Sequence, residues 1–131
     1  MAQDSYTTIV SAVIQQDDQF LLALRKNTRF FPDHWAFPVG RVEPNENDVD
    51  AMRRELYEEL GIQMLDCDYL TTLYDHNEKI QHTVFLILDW AGEVINQEPL
   101  LCEKIDWFEL ENLPSPLTPA TQNIITSLEQ D

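Results

Sequence analysis

Carboxylates set close together on one turn of a helix are costly unless something binds them, and three glutamates of this chain are placed that way. Glu55, Glu58 and Glu59 stand at i, i+3 and i+4. At about 100° per residue they project as one cluster, roughly 110° away from the apolar stripe of the same helix. Each like-charge pair at these spacings costs about 0.2–0.5 kcal/mol. The cluster also lies near the helix C-terminus, where the dipole favours cations. A divalent cation offsets both penalties. Hard ions such as Mg²⁺ take oxygen ligands, usually a few carboxylates together with substrate phosphates. An acidic helix face is also a common solvated surface, so the three glutamates alone do not decide between the two readings.

The helix that carries them is predicted over residues 48–60. Val49, Met52, Leu56 and Leu60 recur at three- and four-residue steps, the signature of one buried stripe. Asn47 is the expected N-cap, with Asp50 three residues on as a shorter-armed capping box. Asp48 and Asp50 fall in the first turn, where the dipole favours negative charge. Gly61 suits the left-handed residue that ends a helix.

Further residues stand at fixed spacing around the glutamates and have no place in a merely solvated face. Gly40 is followed after five residues by Glu46, then after seven by Arg54-Glu55-Leu56, Glu58-Glu59 and Gly61-Ile62. This pattern resembles the box of the Nudix hydrolase superfamily at every defined position. The approach to it, Trp35 through Glu43, looks like that family's entry into the box, with Val39 where a glycine is usual. A β-branched residue is strained at positive φ, so Val39 is expected to be extended and Gly40 to make the turn. Asn45 replaces another common glycine and tolerates the left-handed region. Later segments, Asn96 to Pro99, Lys104 to Phe108 and Leu113-Pro114, are similar to those of MutT-like members.

The resemblance implies an α/β/α sandwich, a mixed β-sheet between helices. It implies hydrolysis of a nucleoside diphosphate linked to another moiety, most simply a nucleoside triphosphate, oxidised or not, to the monophosphate and pyrophosphate. Mg²⁺, with Mn²⁺ as a substitute, would sit on Glu55, Glu58, Glu59 and the Gly40 carbonyl. Arg54 would hold a catalytic glutamate, Glu46 and Gly61 would support the loop and helix, and Glu98 would act as base or extra ligand. Arg25, Arg41 and Phe37 are candidate substrate contacts. The last helix resembles that of 8-oxo-dGTP hydrolases, with Thr121 at the position of a base-reading asparagine. One hydroxyl cannot repeat the two-ended hydrogen bonding of an amide, so the base stays open. A dinucleotide or a nucleotide sugar such as ADP-ribose is the alternative substrate. A catalytically silent nucleotide-binding module is the alternative of another class, against which the intact glutamates and Arg54 argue.

Charge and composition agree with a small globular enzyme. The 131 residues fit one domain, residues 1–131, with 44% hydrophobic and 10% aromatic content. The net charge of −16 argues against binding a nucleic-acid backbone. Six of the eight basic residues (Arg25, Lys26, Arg29, Arg41, Arg53 and Arg54) fall near the box, where an anionic small-molecule nucleotide needs them. Cys67 and Cys102 have no metal or redox spacing, and no leader or membrane segment is evident, so a cytoplasmic protein is expected, free or as a homodimer. Strands are predicted at Tyr6–Ile14, Phe20–Arg25, Asp68–Tyr74, Ile80–Trp90 and Ile105–Phe108. A last helix is expected after Thr118 and Pro119, burying Leu117, Ala120, Ile124, Ile125 and Leu128. Of the other aromatic residues, Phe30, Phe31 and Trp35 are candidates for a stacking surface or for the core. His34, His76 and His82 have no paired spacing and read as surface or strand residues.

Overall fold

The computed structural model describes residues 5–130. Strand β1 (Thr7–Gln16) turns through Asp17 and Asp18 into β2 (Gln19–Arg25). Asp17 takes a left-handed φ of 56° there, a conformation short polar side chains tolerate. The two strands pair only beside the turn, through Gln15–Phe20 and Gln16–Gln19. Beyond that point β2 pairs with the two-residue β3 (Trp35–Ala36), while β7 (Cys102–Glu109) pairs along β2 from Gln19 to Arg25. The vacated edge of β1 is filled by β4 (Val39–Arg41), antiparallel to Ile9–Ser11. On its other edge β1 runs parallel to β6 (Ile80–Ala91), which pairs antiparallel with β5 (Gln63–Asp75). One parallel pair among antiparallel ones makes the sheet mixed, as expected.

Helices cover its two faces. Successive side chains of β1 point to opposite sides. Val10, Ala12 and Ile14 pack with Ala51, Met52, Leu56 and Leu60 of α1 (Asp48–Leu60). Val13 packs on the other side with Phe37, Val84 and Ile124 and Ile125 of α2 (Pro119–Glu129). The two helices therefore enclose the sheet, and the split between β1 and β2 lets β4 approach the C-terminal half of α1.

The caps follow the sequence. The Asn47 side chain accepts from Asp50 N at 2.8 Å, and the Thr118 side chain accepts from Thr121 N, with Pro119 following. Gly61 is left-handed at φ 72° and donates its N–H to Tyr57 O. A Cβ there would meet Gln97 Nε2 at 2.9 Å as well. Gly61→Ala is therefore expected to lower stability by about 1–2 kcal/mol, the cost of an L residue in that region, as read from urea unfolding.

Several expectations need correction. Val49 is 37% exposed and Ala51 takes its place in the buried stripe. β5 begins five residues before the predicted start, because irregular pairing around Asp66 breaks the alternation that marks a strand. β3 and β4 are too short to show a period, and Pro38 stands between them. Gly40 makes no turn: it lies inside β4 opposite Val10. Leu117 and Leu128 face inward as expected, half-buried against the core on the α2 side, and Ala120 is half-buried. His82 is, as expected, a strand residue; it is buried and bonded to Ser11, and burial pushes its pKa down to about 4. No helix among the described residues is long and apolar enough to cross a membrane.

Candidate active site

A cleft of about 280 Å³ opens between β4, the last turns of α1, the end of β2 and the segment before β7. Arg54 organises its floor. Its Nε donates to Glu46 Oε2 at 2.8 Å and its Nη2 to Glu46 Oε1 at 3.0 Å, a two-pronged pair. Nη2 also donates to Arg41 O at 2.8 Å. Nη1 donates to Glu55 Oε1 at 2.9 Å and to Glu58 Oε1 at 3.1 Å. One guanidinium thus ties the loop 41–46 to α1 and holds two glutamates of the cluster. The Arg54 hydrogen bonds, then that from Glu43 N, hold the Glu46 carboxyl below the usual range. The same bond to Glu46, outweighing burial, raises Arg54 above its ordinary value. Asn45, left-handed at φ 67°, closes the loop that makes this possible.

Above this floor the cleft is lined by Glu55, Glu58, Glu59 and Glu98 against the single guanidinium of Arg25. Glu59 is only part-buried as a residue, but its Oε2 is sealed off and finds no partner. Burial, then the neighbouring carboxylates Glu55 and Glu98, push its pKa well above the ordinary value, with Arg25 pulling weakly the other way. Burial likewise raises Glu55 against the pull of Arg54. The neutral acid shares its proton with Glu55; once ionised, a buried carboxylate oxygen without a donor is expensive, and a cation is the partner its oxygen chemistry suits. Among the described residues no three acidic, cysteine or histidine side chains already converge at ligand distance. Glu58 lines the cleft with a side chain 51% exposed, and one of its oxygens is held by Arg54. Gly40 gives the space: a Cβ on it would overlap the Glu55 carboxylate group. The residues present fit a divalent ion.

Glu98 reaches the cleft from the opposite wall. Its segment docks along the end of α1, where Ile95 N bonds to Leu60 O and Gln97 N to Glu59 O, using carbonyls the helix leaves free. Asn96 staples the loop with both ends of its amide: Oδ1 accepts from Glu98 N at 3.0 Å and Nδ2 donates to Cys102 O at 2.8 Å. Burial and then Glu58 raise the Glu98 pKa. Sequence reasoning missed the part played by Asn96, although an Asn two residues before an acid is a usual turn former.

The remaining candidates separate. Arg25 lines the cleft, with Nε and Nη2 donating to Phe30 O at 3.2 and 3.0 Å; burial lowers its pKa. Phe37 touches the cleft but is 2% exposed and belongs to the α2 core. Arg41 is exposed and contributes its carbonyl to Arg54 rather than lining the cleft. Thr121 lies apart, buried, with its hydroxyl oxygen accepting from Thr118 Oγ1 at 2.7 Å and from Phe37 N at 3.4 Å. Cys102 lines the cleft, but burial pushes its thiol up, away from the reactive thiolate.

The NUDIX domain family model matches residues 5–128. The chain is 32% identical over 113 residues to the 8-oxo-dGTP diphosphatase of Buchnera aphidicola, spanning 85% of this chain and 87% of that protein. It is 34% identical over 120 residues to the nucleoside triphosphatase NudI of Escherichia coli, spanning 81% of this chain and 84% of that one. The crystal structure of a MutT NUDIX hydrolase from Burkholderia pseudomallei superposes with a TM-score of 0.88 at 31% identity, covering 95% of this chain and 98% of the other.

Proposed function

The chain belongs to the NUDIX family and is a hydrolase of it, and from that premise we propose that it is a Mg²⁺-dependent pyrophosphohydrolase converting a nucleoside triphosphate to the monophosphate and pyrophosphate. The observation that carries this is the sealed, unpartnered Glu59 Oε2 beside Glu55, in a cleft that also holds Glu98 and Arg25. Glu55, Glu58 and Glu59, with the backbone at Gly40, would hold the metal. The ion, when bound, supplies Lewis-acid charge to the phosphoryl oxygens and lowers the pKa of the attacking water.

The chain's own residues do the rest. Arg54 fixes Glu55 so that the carboxylate does not drift between ligand positions. Glu98, entering from the facing wall, accepts the proton of the attacking water. In the metal-free protein burial, then Glu58, raises its pKa, which suits a proton acceptor. Arg25 balances the negative charge of the transferring and leaving phosphates.

The test is a hydrolysis screen over nucleoside triphosphates, ADP-ribose and dinucleotides, with Mg²⁺, Mn²⁺ or a chelator. Triphosphate turnover releasing pyrophosphate, abolished by the chelator, is the expected result. Turnover indifferent to chelation, or confined to ADP-ribose or dinucleotides, overturns the proposal. The named relatives are a nucleoside triphosphatase and an 8-oxo-dGTP diphosphatase, which supports triphosphates as the first substrates to try.

A further inference from the structure

We infer that the loop 26–34 carries the nucleobase of the substrate, with the ring of Phe30 as its stacking platform; the inference rests on the nucleotide reading above. Trp35 and Phe37 are buried at 7% and 2% exposure, whereas Phe30 and Phe31 are exposed at 58% and 46%. Leu100 and Leu101 are also exposed, at 78% and 48%, and Leu101 lines the cleft. The two loops are joined: Asn27 Nδ2 donates to Leu100 O at 3.0 Å and Lys26 N to Leu101 O at 2.9 Å. Exposed apolar side chains thus stand on two joined loops, one of which reaches the cleft through Arg25 and Thr28 and the other through Leu101.

Phe30 is also coupled to the polar end of the cleft. Its carbonyl accepts from Arg25 Nε and Nη2 and from Thr28 Oγ1 at 2.9 Å, and Arg25 and Thr28 both line the cleft. The backbone of the residue offering an aromatic face is thereby one hydrogen bond from the guanidinium that the proposed function sets against the phosphates. The Arg29 guanidinium lies 5.2 Å from the Phe30 ring centroid and holds one face of the ring. Asn27, Phe31 and Asp33 are left-handed at φ 56°, 52° and 64°. For a bulky phenylalanine that conformation is strained, and strain of this kind concentrates at ligand clamps. A flat, weakly polar heterocycle tethered to phosphates is the occupant this arrangement suits, since every base offers a π-face.

The experiment compares Phe30→Ala, Phe30→Trp and wild type on the four deoxynucleoside triphosphates and on ribose 5-triphosphate, which lacks a base. Stacking losses on alanine substitution predict a KM raised about tenfold or more for the nucleotides, with a much smaller rise for ribose 5-triphosphate. Phe30→Trp keeps the platform and is expected to stay within about threefold of wild type. Equal changes for based and baseless substrates overturn the inference and leave the proposed function standing. Calorimetry with deoxynucleoside monophosphates gives a second reading independent of turnover. Binding that weakens in Phe30→Ala, in a protein that hydrolyses no triphosphate, sustains the base platform while removing the proposed reaction. Binding that ignores Phe30 overturns the platform.

Discussion

Gly40→Ala is expected to lower kcat/KM by about a hundredfold or more while leaving the fold intact. Gly40 sits in β4 with ordinary strand backbone, so alanine is conformationally acceptable there and even reduces unfolded-chain entropy. The damage is local. The new Cβ would overlap the Glu55 carboxyl group, which Arg54 Nη1 holds at 2.9 Å. Glu55 must leave that bond to make room, and with it the position proposed for a metal ligand. Misplacement of a reacting group by about 1 Å costs on the order of 10²-fold in rate. Steady-state kinetics with urea unfolding of the same variant separates the two effects. Shortening the displaced arm relieves the overlap, so Gly40→Ala/Glu55→Asp is expected to recover part of the loss. Activity within about threefold of wild type in Gly40→Ala would mean that the Glu55 carboxylate does not work where the cleft places it.

The same glycine marks the boundary between what was legible in the sequence and what was not. Its type and spacing mark it as a special position, and the obvious reason is a turn. The actual reason is close approach by the side chain of Glu55, far along the chain, which no local rule encodes. Caps behaved differently. Asn47, Gly61, Thr118 and Pro119 act within a few residues of themselves, and each did what its chemistry implied. The helix face with Glu55, Glu58 and Glu59 was equally legible, because 3.6-residue periodicity fixes it. Arg54 was legible as a partner for a glutamate, yet its reach to Glu46, Glu55, Glu58 and Arg41 O depends on how loop 41–46 folds back. Asn96 shows the limit most clearly. Its amide bridges Glu98 N and Cys102 O, and nothing in composition or period announces that. The short strands β3 and β4 likewise owe their existence to long-range pairing that local pattern does not show.

Glu59→Gln is expected to separate stability from turnover most sharply. If Glu59 holds the metal as proposed, losing its carboxylate removes several kcal/mol of transition-state charge stabilisation, a fall in kcat of roughly 10³-fold. Metal-free, the variant is expected to be more stable than wild type at neutral pH. Burial and the neighbouring Glu55 and Glu98 hold the folded-state pKa of Glu59 well above its ordinary 4.5. The folded protein therefore binds this proton more tightly than the unfolded chain. Between the ordinary value and the raised one, stability falls as pH rises, and every tenfold gain in proton affinity on folding costs about 1.4 kcal/mol once the group must ionise. Glu46 runs the other way: its depressed pKa contributes stability that is present above 4.5 and lost as pH falls below it. Wild-type protein in chelator is thus expected to lose stability between mildly acidic and neutral pH, and Glu59→Gln to lose much less. Mg²⁺ is expected to raise the wild-type Tm most at neutral pH, where the ionised cluster is least tolerable without it, and to leave the Glu59→Gln Tm nearly unmoved. Thermal unfolding across that pH range, with and without Mg²⁺, reads all of this. Parallel wild-type and variant curves in chelator would show that the buried carboxylate carries no such penalty, and the case for a cation at Glu59 would fall with it.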